Sequence, residues 1–513
     1  MTFHTKAATD EIYEMFNQPL KDEDEDSDSS DDTDDSSGSN DNDDISLHDY
    51  SYEEGPGESG MNDITQTTGQ LSVNTQQTSH PVSVPFTPVR EPEQDARKLP
   101  TMTPITETGE TPINKSSLIA STKDVINPMD FSVRQNLLLS PSNRRFLENQ
   151  QNFFSYGVKF EMEQKLKRAL QASRNQGNAD SVMTFPNGNQ SFNFLKIIGE
   201  GGFGSVFLVK TQLGILKACK VERTKLPWEY YMLKKVEERF QNTRALTSMM
   251  TIDEVHSFED EQYLFQQFLP YGTMLDAVNY WKEEHEGRSF EEVTVMYFAV
   301  EILRAIETLH SGNIIHGDIK PDNFMIRFDS PEILQTKNYQ KTGEAGWHFR
   351  GIKIIDFGRG IDVKLFPPQV QFTADWKMDQ QDCVEMQQEQ TWTYQADYHG
   401  IAAIIYLMLF GDFIKLAEDR EGEVSVFRIA NSLKRYWQKD MWNELFTVLL
   451  NSALVAKQSG VSLPLTPLLS NCREKFEEYL EEQTKSNSCL YESLTWLQEG
   501  LTKRFSQISK EYL

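Results

Sequence analysis

The sequence predicts an α+β domain over residues 191–505, a small β-rich lobe followed by a larger helical lobe, behind a long acidic tract. Three observations carry this reading: a glycine-punctuated pair of strand-like segments, two strongly apolar helical segments further on, and an abrupt change of composition near residue 190.

The acidic tract comes first. Of the formal charge of −28, residues 21–60 account for −16, with 17 acidic side chains against Lys21 alone. A low-complexity run of Asp, Glu, Ser and Gly buries too little apolar surface to offset chain entropy, so disorder is expected there. Residues 61–140 are rich in Thr, Pro, Gln and Ser, and the whole of 1–190 reads as a mostly disordered regulatory region. Two islands interrupt it, residues 11–16 and 148–173, both of helical composition. Thr87-Pro88, Thr103-Pro104, Thr111-Pro112 and Ser140-Pro141 are proline-directed sites, where phosphorylation would add about −1.5 to −2 of charge each. Such pairs also arise by chance in any Thr/Pro-rich linker. The acidic run reads first as a solvated spacer, and otherwise as a phosphate-like ligand for basic histone surfaces or as a casein-kinase target.

This charge balance argues against direct, sequence-specific nucleic-acid binding, which needs basic footprints. Cys219, Cys383, Cys472 and Cys489 lie far apart and read as reduced thiols of a cytosolic or nuclear protein. The longest apolar run, residues 401–410, is too short to span a bilayer, and no secretory signal pattern opens the chain, so no membrane partner is expected.

From residue 191 the texture changes. Residues 194–210 and 215–221 read as strands around a Gly-rich turn. Residues 290–310 place Val293, Met296, Val300, Leu303, Ile306 and Leu309 on one helical face, and residues 401–409 read as a buried helix.

Chemistry enters with Gly199-Glu-Gly-Gly-Phe-Gly204-Ser-Val206. Gly199, Gly201 and Gly204 let a strand–turn–strand backbone approach triphosphate oxygens, and Val206 would cover an adenine ring. Fourteen residues past Val206 stands Lys220, preceded by Ala218 in the same strand, in reach of the α- and β-phosphates. Glu229, nine residues on, opens a helix and supplies the carboxylate that orients Lys220.

His316-Gly-Asp318-Ile-Lys320-Pro-Asp-Asn323 is the most specific signal. Asp318 would accept the proton of an attacking hydroxyl, Lys320 neutralise the moving phosphoryl group, and Asn323 bind Mg²⁺. Asp356-Phe-Gly358 follows an apolar strand, 33 residues after Asn323, and its carboxylate is the second Mg²⁺ ligand. The cofactors implied are ATP and Mg²⁺. His316 reads as a packing and hydrogen-bonding residue, and Asp322 as structural.

Together these motifs resemble the eukaryotic protein kinase family. The resemblance implies a bilobal fold with ATP in the cleft, backbone contacts to the nucleotide from Gln267 and Leu269, and Met325 beneath the adenine. It also implies a packed stack of Leu233, Phe357 and His316, and an anchoring role for Asp397. Cys383-Val-Glu385 departs from the family's Ala-Pro-Glu.

A narrower likeness lies in Pro227-Trp-Glu-Tyr-Tyr231, Ile361-Asp-Val-Lys-Leu-Phe366, Cys383-Val-Glu-Met386 and Leu409-Phe-Gly411, which resemble the budding-uninhibited-by-benzimidazole (Bub) checkpoint kinases. Residues 5–20 and 102–107 resemble linker segments of the fungal members. The likeness implies a nuclear, kinetochore-associated Ser/Thr kinase of the spindle checkpoint. It would phosphorylate a core histone tail of the 2A type and work among other checkpoint proteins. The family's N-terminal helical-repeat region is not found here, so the chain reads as a fragment or a shortened member. The alternative is a pseudokinase scaffold whose N-terminal region recruits partners; survival of Lys220, Asp318, Asn323 and Asp356 favours catalysis.

One further departure is Gly317, where the family usually has an arginine that reads an activation-loop phosphate. Between Asp356 and Glu385 the only hydroxyl side chain is Thr373. The loop is therefore expected to be held by packing around Leu365, Phe366 and Phe372 without a phosphate.

Overall fold

The computed structural model describes residues 125–510, apart from 177–180, 187–190, 202–203, 330–335, 377, 379–380 and 422–423. The acidic tract, residues 11–16 and the three Thr-Pro sites lie outside the described residues.

The small lobe is a seven-stranded sheet in the spatial order Phe153–Ser155, Ile252–Ser257, Gln262–Gln267, Leu216–Glu222, Gly204–Thr211, Ser191–Gly201 and Ser181–Thr184. Every pairing is antiparallel except that of the first two strands. The two expected strands are present, the first divided by the glycine turn into Ser191–Gly201 and Gly204–Thr211. Their alternation sends Phe192, Phe194, Phe207, Val209, Cys219 and Val221 into one aromatic-rich core. The opposite face carries Val206, Ala218 and Lys220, less deeply covered, toward the second lobe.

Both outer strands of this sheet come from before residue 191. The expected start of the folded unit at 191 is thus too late, because residues 125–186 form two short strand-bearing edges and three helices, Phe131–Leu139, Pro141–Glu148 and Glu163–Gln176. Leu166, Leu170, Met183 and Phe185 pack into the aromatic core, while Leu138 and Leu147 join the larger one. The strands Phe153–Ser155 and Ser181–Thr184 are too short to show a period of their own; Ile252–Ser257 and Ser191–Gly201 complete them. Of the island at 148–173, only Glu148, which ends Pro141–Glu148, and the part from Glu163 are helical, and Phe153–Ser155 is a strand. Ser140-Pro141 is a helix boundary, with Ser140 at the N-cap and Pro141 in the first turn, a position where proline's missing N–H costs nothing.

The second lobe is built on Glu292–Ser311, buried on almost all sides, with Gln395–Phe410, Lys439–Leu450 and Thr466–Ser486 packed around it. The six apolar positions read as one face understate this burial; Thr294, Glu301, Glu307 and His310 are inside too. Glu301, Glu307 and Glu477 are compensated by Arg304 and Arg473, which bridge the central helix to Thr466–Ser486. Among the described residues no helix is long and apolar enough to cross a membrane, and the four cysteines are unpaired.

Candidate active site

The cleft between the lobes is lined first by the glycine turn. Gly199 pairs with Val206 and Gly201 with Gly204 across the hairpin. A Cβ on Gly204 would lie 1.8 Å from the carbonyl oxygen of Val221, so only glycine fits there. Val206 pairs in turn with Lys220, and Ala218 pairs with Leu208 and Gln266. Val206, Ala218 and Lys220 therefore share the cleft face.

Lys220 is met by three carboxylates. It pairs with Glu229, in the first turn of the helix Trp228–Arg239, and lies 2.8 Å from Asp356 Oδ1 and 3.2 Å from Glu222 Oε1. Burial opposes the ammonium charge, but Asp356, Glu229 and Glu222 hold Lys220 well above its usual range. It is a fixed cation. Asp356 sits at φ +62°, a left-handed conformation that turns its carboxylate back over Gly358 N–H at 3.3 Å. Burial raises its carboxyl and Lys220 more than offsets this, so Asp356 stays ionised.

The catalytic loop supplies the facing groups. Lys320 Nζ donates to Asp318 Oδ2 at 2.9 Å, and Asn323 Nδ2 donates to the same oxygen at 2.9 Å and to the Asp318 carbonyl at 2.8 Å. Against the cost of burial, Lys320 and Arg359 hold the Asp318 carboxyl far below the ordinary range. The loop is anchored by buried Asp397, which accepts from the backbone N–H groups of His316 at 2.9 Å and Gly317 at 2.8 Å, and contacts His310 at 2.8 Å. His316 meets the Ile355 carbonyl at 3.0 Å and lies edge-on to Phe357 at 4.7 Å, with Leu233 buried in the same core. These match the packing role expected for His316.

Gln267 closes the strand Gln262–Gln267 with an exposed side chain that accepts from Lys353 at 3.3 Å. Leu269 follows with its side chain buried, and Met325 lies on the strand Phe324–Phe328, bridged to Thr273. Both sit where the two lobes join. Asp322 is half-buried, and desolvation raises its carboxyl above the ordinary value.

Sequence reasoning missed four contributors. Glu222, two residues past Lys220 on the same strand, was legible as a same-face acid. Arg359 contacts Asp318 Oδ1 at 3.3 Å and lies 4.0 Å over the ring of Trp376. Arg134, from the helix Phe131–Leu139, donates to the Gly358 carbonyl at 2.9 Å; nothing local marks it. In the activation segment, Val125–Ile126 pairs in parallel with Gln371–Phe372, and Phe372 is bonded to Trp392 in both directions. A small, open pocket lies beside Asp318, lined by Lys320, Arg359, Trp376, Asp382, Cys383 and Met386 among others. Burial raises the Glu385 carboxyl, and Cys383 caps the short helix Val384–Gln387.

A glycine hairpin, a fixed lysine–glutamate pair and a catalytic loop facing a second aspartate across a two-lobed cleft define a protein kinase. Residues 192–478 match the protein kinase domain, and the chain belongs to that family. Among curated proteins it is similar to the spindle assembly checkpoint serine/threonine-protein kinase BUB1 of Saccharomyces cerevisiae, 36% identical over 82% of this chain and 40% of the relative. The Schizosaccharomyces pombe counterpart is 34% identical over 71% of this chain and 38% of its own length. The mitotic checkpoint kinase BUB1 of Arabidopsis thaliana is 34% identical over 60% and 57%. A crystal structure of the BubR1 kinase domain aligns with a TM-score of 0.58 and 25% identity, over 73% of this chain and all of that one. The chain spans 38% to 57% of the length of these curated relatives.

Proposed function

We propose that the chain is a Mg-ATP-dependent serine/threonine protein kinase of the mitotic spindle checkpoint, acting in the nucleus at the kinetochore, with a 2A-type core histone tail among its substrates. The catalytic part rests on one observation: Lys220, Asp318, Asn323 and Asp356 converge on one cleft, with Lys220 on Asp356 and Asn323 on Asp318. The checkpoint part rests on the curated relatives, and the histone part on the Bub-type motifs. Asp382, which lines the pocket beside Asp318, suits a basic tail.

Asn323 uses Nδ2 for both contacts with Asp318, which turns its amide oxygen the other way, and Asp356 is an ionised hard-oxygen donor. Among the described residues no cluster of three His, Cys, Asp or Glu side chains could hold a metal alone. That donor set fits Mg²⁺, which takes one or two protein oxygens and completes its shell with phosphate and water. Asn323 and Asp356 would hold the ion, which neutralises phosphate charge when bound. Lys220 steadies the α- and β-phosphates while Gln267, Leu269 and Met325 border the adenine. Asp318 accepts a hydrogen bond from the substrate hydroxyl and then its proton, as the hydroxyl oxygen bonds the γ-phosphorus and the bond to the β-phosphate oxygen breaks. Lys320 offsets the charge on the moving group.

Transfer of label from Mg-ATP to histone octamers, with Asp356→Ala as control, tests the reading. Asp318→Asn should fall by roughly 10³-fold or more in rate. Turnover near the wild-type rate would remove Asp318 from its role; labelling of other proteins but never histones would remove the histone assignment alone.

A further inference from the structure

We propose that Arg359 is a positioning residue for phosphoryl transfer: held flat on Trp376, it fixes the outer oxygen of Asp318 and so ties the catalytic aspartate to the folded activation segment. This rests on the kinase reading above.

The two oxygens of Asp318 are held differently. Lys320 and Asn323 both sit on Oδ2, and Arg359 Nη1 lies 3.3 Å from Oδ1. Lys320 is an ammonium on a flexible stem, and the γ-phosphate of bound ATP competes for it. Arg359 is not free to follow. Its backbone is pinned on both sides, the Gly358 carbonyl by Arg134 Nη1 at 2.9 Å and the Gly360 carbonyl by Trp228 Nε1 at 2.9 Å. Its guanidinium lies 4.0 Å from the centre of the Trp376 ring, a cation–π stack on a residue of the activation segment. Trp376 is itself tied to that segment through its indole N–H, which donates to Asp382 Oδ1 at 3.3 Å.

Gly317 makes room for this arrangement. It adopts φ +73°, and a Cβ there would lie 2.7 Å from the Arg359 carbonyl oxygen. The backbone of Arg359 thus occupies space that a side chain at 317 would need. Where a kinase arginine at that position would sense a loop phosphate, here an arginine of the adjoining segment, one residue past Asp356-Phe-Gly358, stacks on an aromatic ring. Folding of the segment around Trp376 is thereby communicated to Asp318 by stacking, with no added phosphate.

The test measures transfer from Mg-ATP to histone octamers or dephosphorylated casein, whichever the wild type labels faster, for Arg359→Ala, Arg359→Lys, Trp376→Ala and the Arg359→Ala/Trp376→Ala double variant. Arg359→Ala should lower kcat by about tenfold or more while KM for ATP stays within about twofold. Arg359→Lys should recover part of the loss, since it keeps the charge without the flat stack. Trp376→Ala should fall in the same direction, and the double variant should be no slower than the worse single, because the pair acts as a unit. Nucleotide-induced thermal shift on each variant separates a folding failure from a positioning one. An Arg359→Ala enzyme with wild-type or raised kcat, or single-variant losses that multiply in the double variant, would overturn the proposal and leave the kinase reading intact. A wild type that labels neither acceptor would overturn both.

Discussion

Thr373 donates its backbone N–H to the carbonyl oxygen of Ile126 at 3.0 Å, so a residue 247 positions earlier in the chain is a hydrogen-bonding partner of the activation segment. Val125 and Ile126 pair with Gln371 and Phe372, and Phe372 is fully buried against Phe366 and Trp392. The segment is ordered from both sides by main-chain bonds and aromatic packing. A chain starting at residue 191 would lose this pairing, the Arg134 contact to Gly358 and both edge strands of the sheet. Its transfer rate should fall by about 10²-fold or more against the full chain. Equal rates would show that the preceding elements are dispensable.

A segment already ordered by packing is expected to need no phosphate. Phosphatase-treated protein and Thr373→Ala should both retain activity within about threefold, measured alongside mass spectrometry of the segment. A collapse of more than about tenfold on dephosphorylation would show that a phosphate, not the Phe366–Phe372 packing, orders the loop.

Restoring an arginine at 317 should do harm. The left-handed backbone costs a non-glycine residue about 1–2 kcal/mol, and the new Cβ would press on the Arg359 carbonyl oxygen. Gly317→Arg is expected to melt several degrees lower and to transfer phosphate more slowly. An unchanged Tm would mean that this turn relaxes freely.

The glycine turn has its own support. Buried Glu163 accepts from Ser205 Oγ at 2.9 Å and Arg223 Nε at 2.6 Å, and Lys167 links it to Glu200. Burial raises the Glu163 carboxyl, but Arg223, Ser205 and Lys167 more than offset it, leaving the folded value below the usual 4.5. A depressed carboxyl contributes stability that is present above its unfolded value and lost as pH falls through the folded one. Tm of the wild type should therefore drop on acidification below pH ~4.5, and Glu163→Gln should reduce that slope. The same variant should raise KM for ATP, since Ser205 follows Gly204 directly. Parallel Tm–pH curves for the two proteins would remove Glu163 from this account.

The cysteines should differ in reactivity. Burial pushes Cys472 up to about 12 and raises Cys219 and Cys383 as well, and all three are inside. Cys489 is the least enclosed. A thiol reagent should titrate Cys489 first and the other three only on unfolding; rapid reaction at Cys383 would show that the substrate-side segment opens.

The chemistry was legible because it depends on residue type at short spacing. Asp318, Lys320 and Asn323 fall within six residues, and Gly199, Gly201 and Gly204 recur at a spacing characteristic of a phosphate-binding turn. The strand–helix order followed from apolar patterning, including the buried helix expected at 401–409, which begins earlier, at Gln395, and ends at Phe410. What stayed hidden is whatever is assembled from afar. Arg134 reaches Gly358 across 224 positions, and Phe153–Ser155 is a strand only because Ile252–Ser257 lies beside it. Glu163 reads as an ordinary surface acid until Ser205 and Arg223 are placed around it. Composition could mark residues 125–190 as polar, but not that a few apolar side chains there fill gaps in another element's core.

Because the strand Val125–Ile126 and the segment it clasps belong to one polypeptide, their association is intramolecular and independent of protein concentration. A separate chain in that place would dissociate on dilution; this strand is present at a fixed effective concentration from the moment the chain folds. Cutting the backbone between residues 126 and 153 would turn that permanent attachment into a bimolecular one, and the order of the activation segment would then depend on the supply of the chain's own severed end.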